Sequence, residues 1–442
     1  MEVWLLTILL FSSLLLCLVL GLPLVFCFGG ISILFILLEW GPRALYMIAT
    51  TGYSTWTEYI LIAVPLFVLM GALLERSGMA DDLYGAMYKW MGPLRGGLAM
   101  GTVAICAVFA AMAGVSAVGT LTMGMIALPA MLKRGYDKLI AVGSISAGGT
   151  LGILIPPSVI MIIYASLAGE SVGALFMGGV FPGVLIAGLF IAYIGVRSYL
   201  QPGLGPPVPL EERMYTWRER LISLRAIVLP VILIVLVLGL IYVGVTTPTE
   251  AAGLGAFGAL VIVFIYRRFS LQTLNSSLMT TLRITCMVMW ILLGAKCFSH
   301  VYTALGAADF VREAIAGLGL NRWIIVIGMQ LVLLVLGMFM DPGGIMVICT
   351  PVFVPIILDL GFNPIWFGIL FTINMEMGYV TPPFGFNLFY MKSLVPPGIT
   401  MGDIYRSIVP FVILEAVAIG LMMLFPEIVL WLPGQMIQVA GG

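Results

Sequence analysis

Charge is what this sequence has least of. Only 9% of its 442 residues are Asp, Glu, Lys or Arg, 62% are hydrophobic, and mean hydropathy is +1.17. A soluble domain carries roughly 25% charged residues, so a soluble fold with a single anchor is excluded and the chain reads as a polytopic membrane protein. Formal net charge is zero, and no basic patch exists to neutralise phosphates. Nucleic acid is thereby excluded as a partner, and membrane lipid is expected instead. There is no GxxxxGKS or GxxxxGKT, hence no ATP chemistry, and no HExxH, GxSxG or Cys/His cluster for an intramembrane hydrolase. A catalytic reading has one histidine to work with, His300. The cysteines (Cys17, Cys27, Cys106, Cys286, Cys297, Cys349) form no CxxC pair and read as small packing residues. The N-terminus, Met1-Glu-Val-Trp-Leu-Leu, has neither a basic region nor a cleavage site, so it reads as a retained first span.

What the sequence does have is a pair of interrupted helices. Gly148-Gly-Thr-Leu-Gly-Ile-Leu-Ile-Pro-Pro-Ser158 lies inside an apolar segment otherwise long enough to cross a bilayer. Two adjacent prolines remove backbone donors and clash with the preceding turn, and the glycines loosen the approach. Freed carbonyls in lipid cost several kcal/mol each, so such a break survives only against protein or a polar cavity. The same break recurs at Met377-Gly-Tyr-Val-Thr-Pro-Pro-Phe384. Pro156-Pro157 and Pro382-Pro383 lie 226 residues apart, as do Pro129 and Pro355, Gly135 and Gly361, and Gly152 and Gly378. Paired breaks at matching positions point to a secondary transporter's midplane site.

Spans of about 20 apolar residues divide the chain into two halves. Residues 1–196 form the first repeat, with spans near 4–20, 24–39, 58–75 and 174–196 and an amphipathic stretch at 81–91. The run 98–132 is too long for one span and turns at Gly114, Ser116, Gly119 and Thr120, so it reads as a re-entrant hairpin; a broken helix follows at 139–166. Residues 197–225, rich in proline and charge, form a cytoplasmic linker. The second repeat, 226–442, repeats the order: spans near 226–244, 250–266 and 280–302, then an amphipathic stretch at 309–318. A hairpin at 323–358 with its tip at Met340-Asp-Pro-Gly-Gly-Ile345, a broken helix at 365–391 and a last span at 408–425 complete it. Arg197, Arg213, Arg218, Arg220, Arg225 and Arg267-Arg268 place the linker inside. The first hairpin, flanked by Lys89, Arg95, Lys133, Arg134 and Lys138, enters from the cytoplasm. The second, with only Arg322 opposed by Asp359, enters from outside. Opposite entry means an inverted repeat, and counting crossings puts both termini outside. The expected fold is an all-α, inverted-repeat membrane protein with two re-entrant hairpins and two broken helices.

Half-helix N-termini suit anionic groups, while unwound carbonyls and hydroxyls suit a small hard cation such as Na⁺. The candidate ion ligands are Gly114, Val115, Ser116, Thr150, Gly152 and Pro156 in the first half. In the second they are Asp341, Pro342, Gly343, Met377, Gly378 and Thr381. Ser158, Asn374, Glu376, Asn387 and Lys296 are the candidate substrate contacts. Ionisable residues at membrane depth are functional hypotheses by default. Other roles stay open: Glu376 facing the scaffold or sharing a proton, Lys296 snorkelling, the glycines serving helix packing. Thr247-Pro-Thr-Glu250 reads as a helix cap.

Gly152-Ile-Leu-Ile-Pro-Pro-Ser158 with Tyr164, Thr247-Pro-Thr-Glu-Ala251, and Thr381-Pro-Pro-Phe-Gly-Phe-Asn387 resemble the large membrane subunit of tripartite ATP-independent periplasmic (TRAP) transporters. The resemblance covers nearly the whole chain. It implies a Na⁺-coupled importer of a small organic acid (C4-dicarboxylates among them) in the bacterial inner membrane, working as an elevator-type symporter. It also implies a small four-span membrane subunit and a periplasmic substrate-binding protein. The family's first tip is richer in serine than Gly114-Val-Ser-Ala117, so a carbonyl is expected to replace one side-chain ligand; Lys296 is atypical and points to a substrate subgroup. The rival readings are a stand-alone Na⁺/dicarboxylate symporter of the same architecture and a membrane-embedded enzyme.

Overall fold

A computed structural model of the protein describes residues 2–114, 116–317 and 319–436. All regular structure among the described residues is helical, and eight helices are long and apolar enough to cross a membrane. The apolar stretches form these helices because little in them competes with the backbone ladder, and their ends carry local stop and start signals. Thr247 and Glu250 form a capping box, each side chain taking the other residue's free N–H, and Pro248 opens the helix Pro248–Ile265. The same device starts Met401–Leu424 through Thr400 and Asp403.

Element bounds recur between the halves. Ser116–Lys133 and Pro342–Asp359 begin 226 residues apart, as do the caps Asp137 and Asn363 of Lys138–Thr150 and Pro364–Val380. Asp137 Oδ1 accepts the N–H groups of Leu139 and Ile140, and Asn363 Oδ1 those of Ile365 and Trp366. Such a cap contributes about 1 kcal/mol. Each half also has a helix ending near the tip (Gly97–Ala113 and Arg322–Gly337) and a short helix after the break (Val159–Ala168 and Phe386–Leu394). The Pro156–Pro157 and Pro382–Pro383 peptide bonds are both cis.

The structure differs from simple spans in three places. The first two helices, Val3–Val19 and Leu24–Glu39, have 17 and 16 residues, short of the about 20 a crossing needs. Residues 280–302 belong to one 34-residue helix, Leu271–Ala304, about 50 Å long at 1.5 Å per residue. Between Glu39 and Tyr59 the chain forms a 3-10 turn, Pro42–Leu45, and a helix, Tyr46–Trp56. Thr51 Oγ1 on that helix lies 2.8 Å from His300 Nδ1 on the long helix.

The linker between the halves packs as a strap. Gly96 N–H donates to Gly205 O (2.8 Å), Asp137 N–H to Leu204 O (2.9 Å) and Val208 N–H to Gly92 O (2.9 Å). Arg134 bonds Glu212 at 2.7 Å and Tyr88 Oη at 2.8 Å, and Tyr88 donates to Glu212, so three segments meet in one charged triangle.

Candidate ion and substrate site

Each tip sits against the break of its own half. Gly114 ends the first hairpin limb with φ +62°, a left-handed conformation that glycine adopts without strain. A Cβ at Gly114 would stand 2.6 Å from the Pro157 carbonyl oxygen, so tip and break touch through backbone alone. In the second half Gly378 packs on Gly337, where a Cβ would come within 2.7 Å of the Gly337 Cα. Phe384 N–H donates to Met338 O at 3.3 Å across the same contact.

The freed carbonyls of the breaks find hydroxyls. Ser158, which caps Val159–Ala168, donates its Oγ to Ile153 O, and Thr381 donates its Oγ1 to Met377 O at 2.7 Å. This is how two interrupted helices avoid the cost of bare carbonyls in an apolar interior. Gly152 lies in the buried 3-10 turn Leu151–Ile153, with Pro156 just beyond it. Val115 lies outside the described residues.

Asp341 ties the second tip together. Its Oδ2 accepts Gly343 N–H at 3.0 Å, capping Pro342–Asp359, and its Oδ1 accepts Tyr379 Oη at 3.2 Å from the broken helix. The first tip reaches across to the second half instead. Ser116 Oγ donates to Asn387 Oδ1 at 3.1 Å, and Asn387 Nδ2 donates to Ser146 O at 3.2 Å. Two nearby hydroxyls, Thr120 Oγ1 and Ser146 Oγ, are buried without a hydrogen-bond partner among the described residues. The Thr120 hydroxyl presses on Gly149 of the broken helix. Serine, threonine and amide oxygens here form the hard donor set that a small cation takes.

Both tips open on one cavity of about 140 Å³. Gly114, Ser116, Asp341, Gly343 and Tyr379 line it, and the long helix Leu271–Ala304 closes it with Ile284, Met287, Val288 and Ile291. A larger hollow of about 840 Å³, beside Glu170, Thr246 and Asn363, includes neither tip. The smaller cavity is therefore the better candidate, because every element that the sequence interrupts converges on it.

The remaining candidate residues lie elsewhere. Lys296 pairs with Glu58 and does not line the cavity, so its charge is already matched. Asn374 Nδ2 donates to the Gln330 carbonyl (2.8 Å) and Gln330 Oε1 (2.9 Å), joining Pro364–Val380 to Arg322–Gly337. Thr150 and Glu376 face the interior behind the breaks, where Thr150 Oγ1 stands 3.5 Å from Glu415 Oε1. Glu376 and Glu415 are both completely buried. The sequence reading passed over Glu415, a lone acid inside a strongly apolar span. It also passed over Ser146 and Thr120 as ligands; a small hydroxyl one turn from a break is the signal that would have found Ser146.

Comparison with known proteins decides the family. Residues 11–428 match the profile described as "Tripartite ATP-independent periplasmic transporter, DctM component". The chain belongs to the DctM family of TRAP transporter large permeases. It is 36% identical over 407 residues to the C4-dicarboxylate TRAP transporter large permease protein DctM of Pseudomonas aeruginosa, covering 91% of this chain and 93% of that one. It is 31% identical to the isethionate TRAP transporter permease protein DctMQ of Oleidesulfovibrio alaskensis, covering 87% of this chain and 60% of that longer one. In fold it resembles the YdaH transporter of Alcanivorax borkumensis, with TM-score 0.64, 13% identity and coverage of 95% and 98%. This DctM-family chain is thus a multi-pass inner-membrane transporter subunit and not an enzyme. Family membership implies a substrate-binding protein and a small membrane subunit as partners.

Proposed function

We propose that this permease imports a small organic acid by Na⁺ symport. The convergence of both tips, with the carboxylate of Asp341, on one cavity against the long helix carries this reading. The cavity places an acid beside the point where an anionic substrate would sit, so a bound Na⁺ is needed to make that juxtaposition favourable. One ion takes Ser116, Thr120, Ser146 and Asn387 with the carbonyls near Gly114; the other takes Asp341 with the carbonyls near Met377, Gly378 and Thr381. Relatives are named for C4-dicarboxylates and for isethionate, both small acids.

In this reading the two halves are inverted repeats, residues 1–196 and 226–442. The hairpins and broken helices move as one body against a scaffold built around Leu271–Ala304, in elevator fashion. A binding protein delivers the acid from the periplasm, and the four-span subunit widens the scaffold. Of the 20 Lys and Arg residues, only Arg43, Lys296, Arg312 and Arg322 belong to the end of the molecule away from the linker. The positive-inside rule then puts the linker in the cytoplasm and both chain ends in the periplasm. The test is uptake in proteoliposomes supplied with the partner subunit and the binding protein. An inward Na⁺ gradient should drive it, and unchanged uptake with K⁺ or choline in place of Na⁺ overturns the proposal.

A further inference from the structure

The lining of the tip cavity is chemically lopsided. Its one charged side chain is acidic, Asp341, already engaged by Gly343 and Tyr379. Among the described residues that line it there is no lysine, arginine or histidine. Its polar groups are those of the two tips and Tyr379. The rest is apolar: Ile153 from the first break, Val159, Ile160 and Ile163 from the helix after it, and Ile284, Met287, Val288 and Ile291 from the long helix. The polar ring fits one carboxylate with its accompanying cation. A second carboxylate would lie against branched hydrocarbon with neither a donor nor a counter-charge, and burying an unpaired charge is costly. The hydroxyls of a sugar acid would be stranded in the same way. An alkyl end, in contrast, gains by leaving water for this wall.

We propose that the transported acid is a short monocarboxylate with an alkyl end, and that the isoleucine-rich wall is what selects it. This rests on the reading of the tip cavity as the substrate site. The size of the cavity, about 140 Å³, limits the chain to a few carbons.

The full-length purified protein, in NaCl and in choline chloride, is titrated with acetate, propionate, butyrate, pentanoate, succinate and gluconate, and binding is read from thermal shifts. Affinity in NaCl should rise about fourfold per added methylene up to pentanoate. Succinate, of similar length, should bind at least about 100-fold more weakly than pentanoate, as should gluconate. Ile284→Arg, which adds a cation to the wall, should narrow the gap between succinate and pentanoate. Succinate binding as well as pentanoate, in a Na⁺-dependent manner, overturns the monocarboxylate proposal and leaves the symport reading standing. No Na⁺-dependent shift with any of the acids removes the cavity as the acid site, and both readings fall with it.

Discussion

Glu415 lies beside Glu376 in the interior of the molecule, and among the described residues neither forms an ion pair. Among the described residues, both oxygens of Glu376 and one of Glu415 have no hydrogen-bond partner. Two carboxyl groups so placed compete for the same surroundings, with Thr150 Oγ1 the nearest donor. Glu415→Gln keeps the volume and ends the competition, so it should melt at or above the wild-type temperature. Glu415→Ala opens a cavity and should cost roughly 2–4 kcal/mol. Thermal unfolding in detergent checks both; a Gln variant as damaged as the Ala variant would show that the carboxylate itself holds the helices together.

Asp341 serves two neighbours at once; Asn can keep the Gly343 N–H bond through its Oδ1 and donate its Nδ2 to the Tyr379 oxygen, with the direction of that second bond reversed. Asp341→Asn should therefore leave the free energy of unfolding within about 0.5 kcal/mol of wild type. If Asp341 holds the coupling ion, the Na⁺ concentration for half-maximal uptake should rise at least about tenfold. Tyr379→Phe removes only one hydrogen bond and should cost about 1 kcal/mol with a smaller effect on Na⁺. An unaltered Na⁺ half-saturation in Asp341→Asn would reduce that residue to a helix cap.

Gly378 and Gly337 let two helices meet backbone to backbone. Gly378→Ala forces a methyl to within 2.7 Å of the Gly337 Cα and should separate tip from break, with loss of uptake and a fall in stability of at least about 1–3 kcal/mol. Gly328, on the same helix as Gly337 with nothing near its Cβ position, is the control. Gly328→Ala should be neutral or stabilising by up to about 1 kcal/mol. Equal stability of the two variants would refute the close packing.

The triangle of Tyr88, Arg134 and Glu212 gives a pH prediction. The Tyr88 hydroxyl, then the Arg134 guanidinium, hold the Glu212 carboxyl below its ordinary 4.5. A group whose folded value is depressed stabilises above its unfolded value, and that stabilisation is lost as pH falls through the lower, folded value. Glu212→Gln should thus melt below wild type at neutral pH, and the two curves should converge as pH falls below 4.5 and through the lower, folded value. A gap that persists at acid pH would assign the effect to packing of the strap.

Orientation is open to direct labelling. In a background without native cysteines, Tyr215→Cys should be shielded from impermeant thiol reagents in intact spheroplasts, and Asn321→Cys should react. The opposite pattern would turn the whole chain over in the membrane and overturn the proposed orientation.

The paired prolines made the breaks legible because proline and glycine act through their own backbone, whatever surrounds them. The cap formed by Thr247 and Glu250 acts over three residues and was legible for the same reason. Side-chain partners were not. Lys296 meets Glu58 across 238 positions of sequence, and nothing local marks either as the other's counter-charge. The helix Tyr46–Trp56 was hidden because its composition is neither apolar enough for a span nor charged enough for a loop. The lopsided cavity could not be read at all, since its aliphatic wall comes from isoleucines and valines that look like any others in an apolar span.

The amide of Asn387 has a consequence for whether either half of the chain can stand alone. Ser116 and Ser146 belong to the first half and Asn387 to the second, so one side chain completes a polar pocket that neither half contains alone. Residues 1–196 expressed alone would therefore leave the Ser116 hydroxyl and the Ser146 carbonyl without this partner, and the pocket exists only when the chain carries both segments.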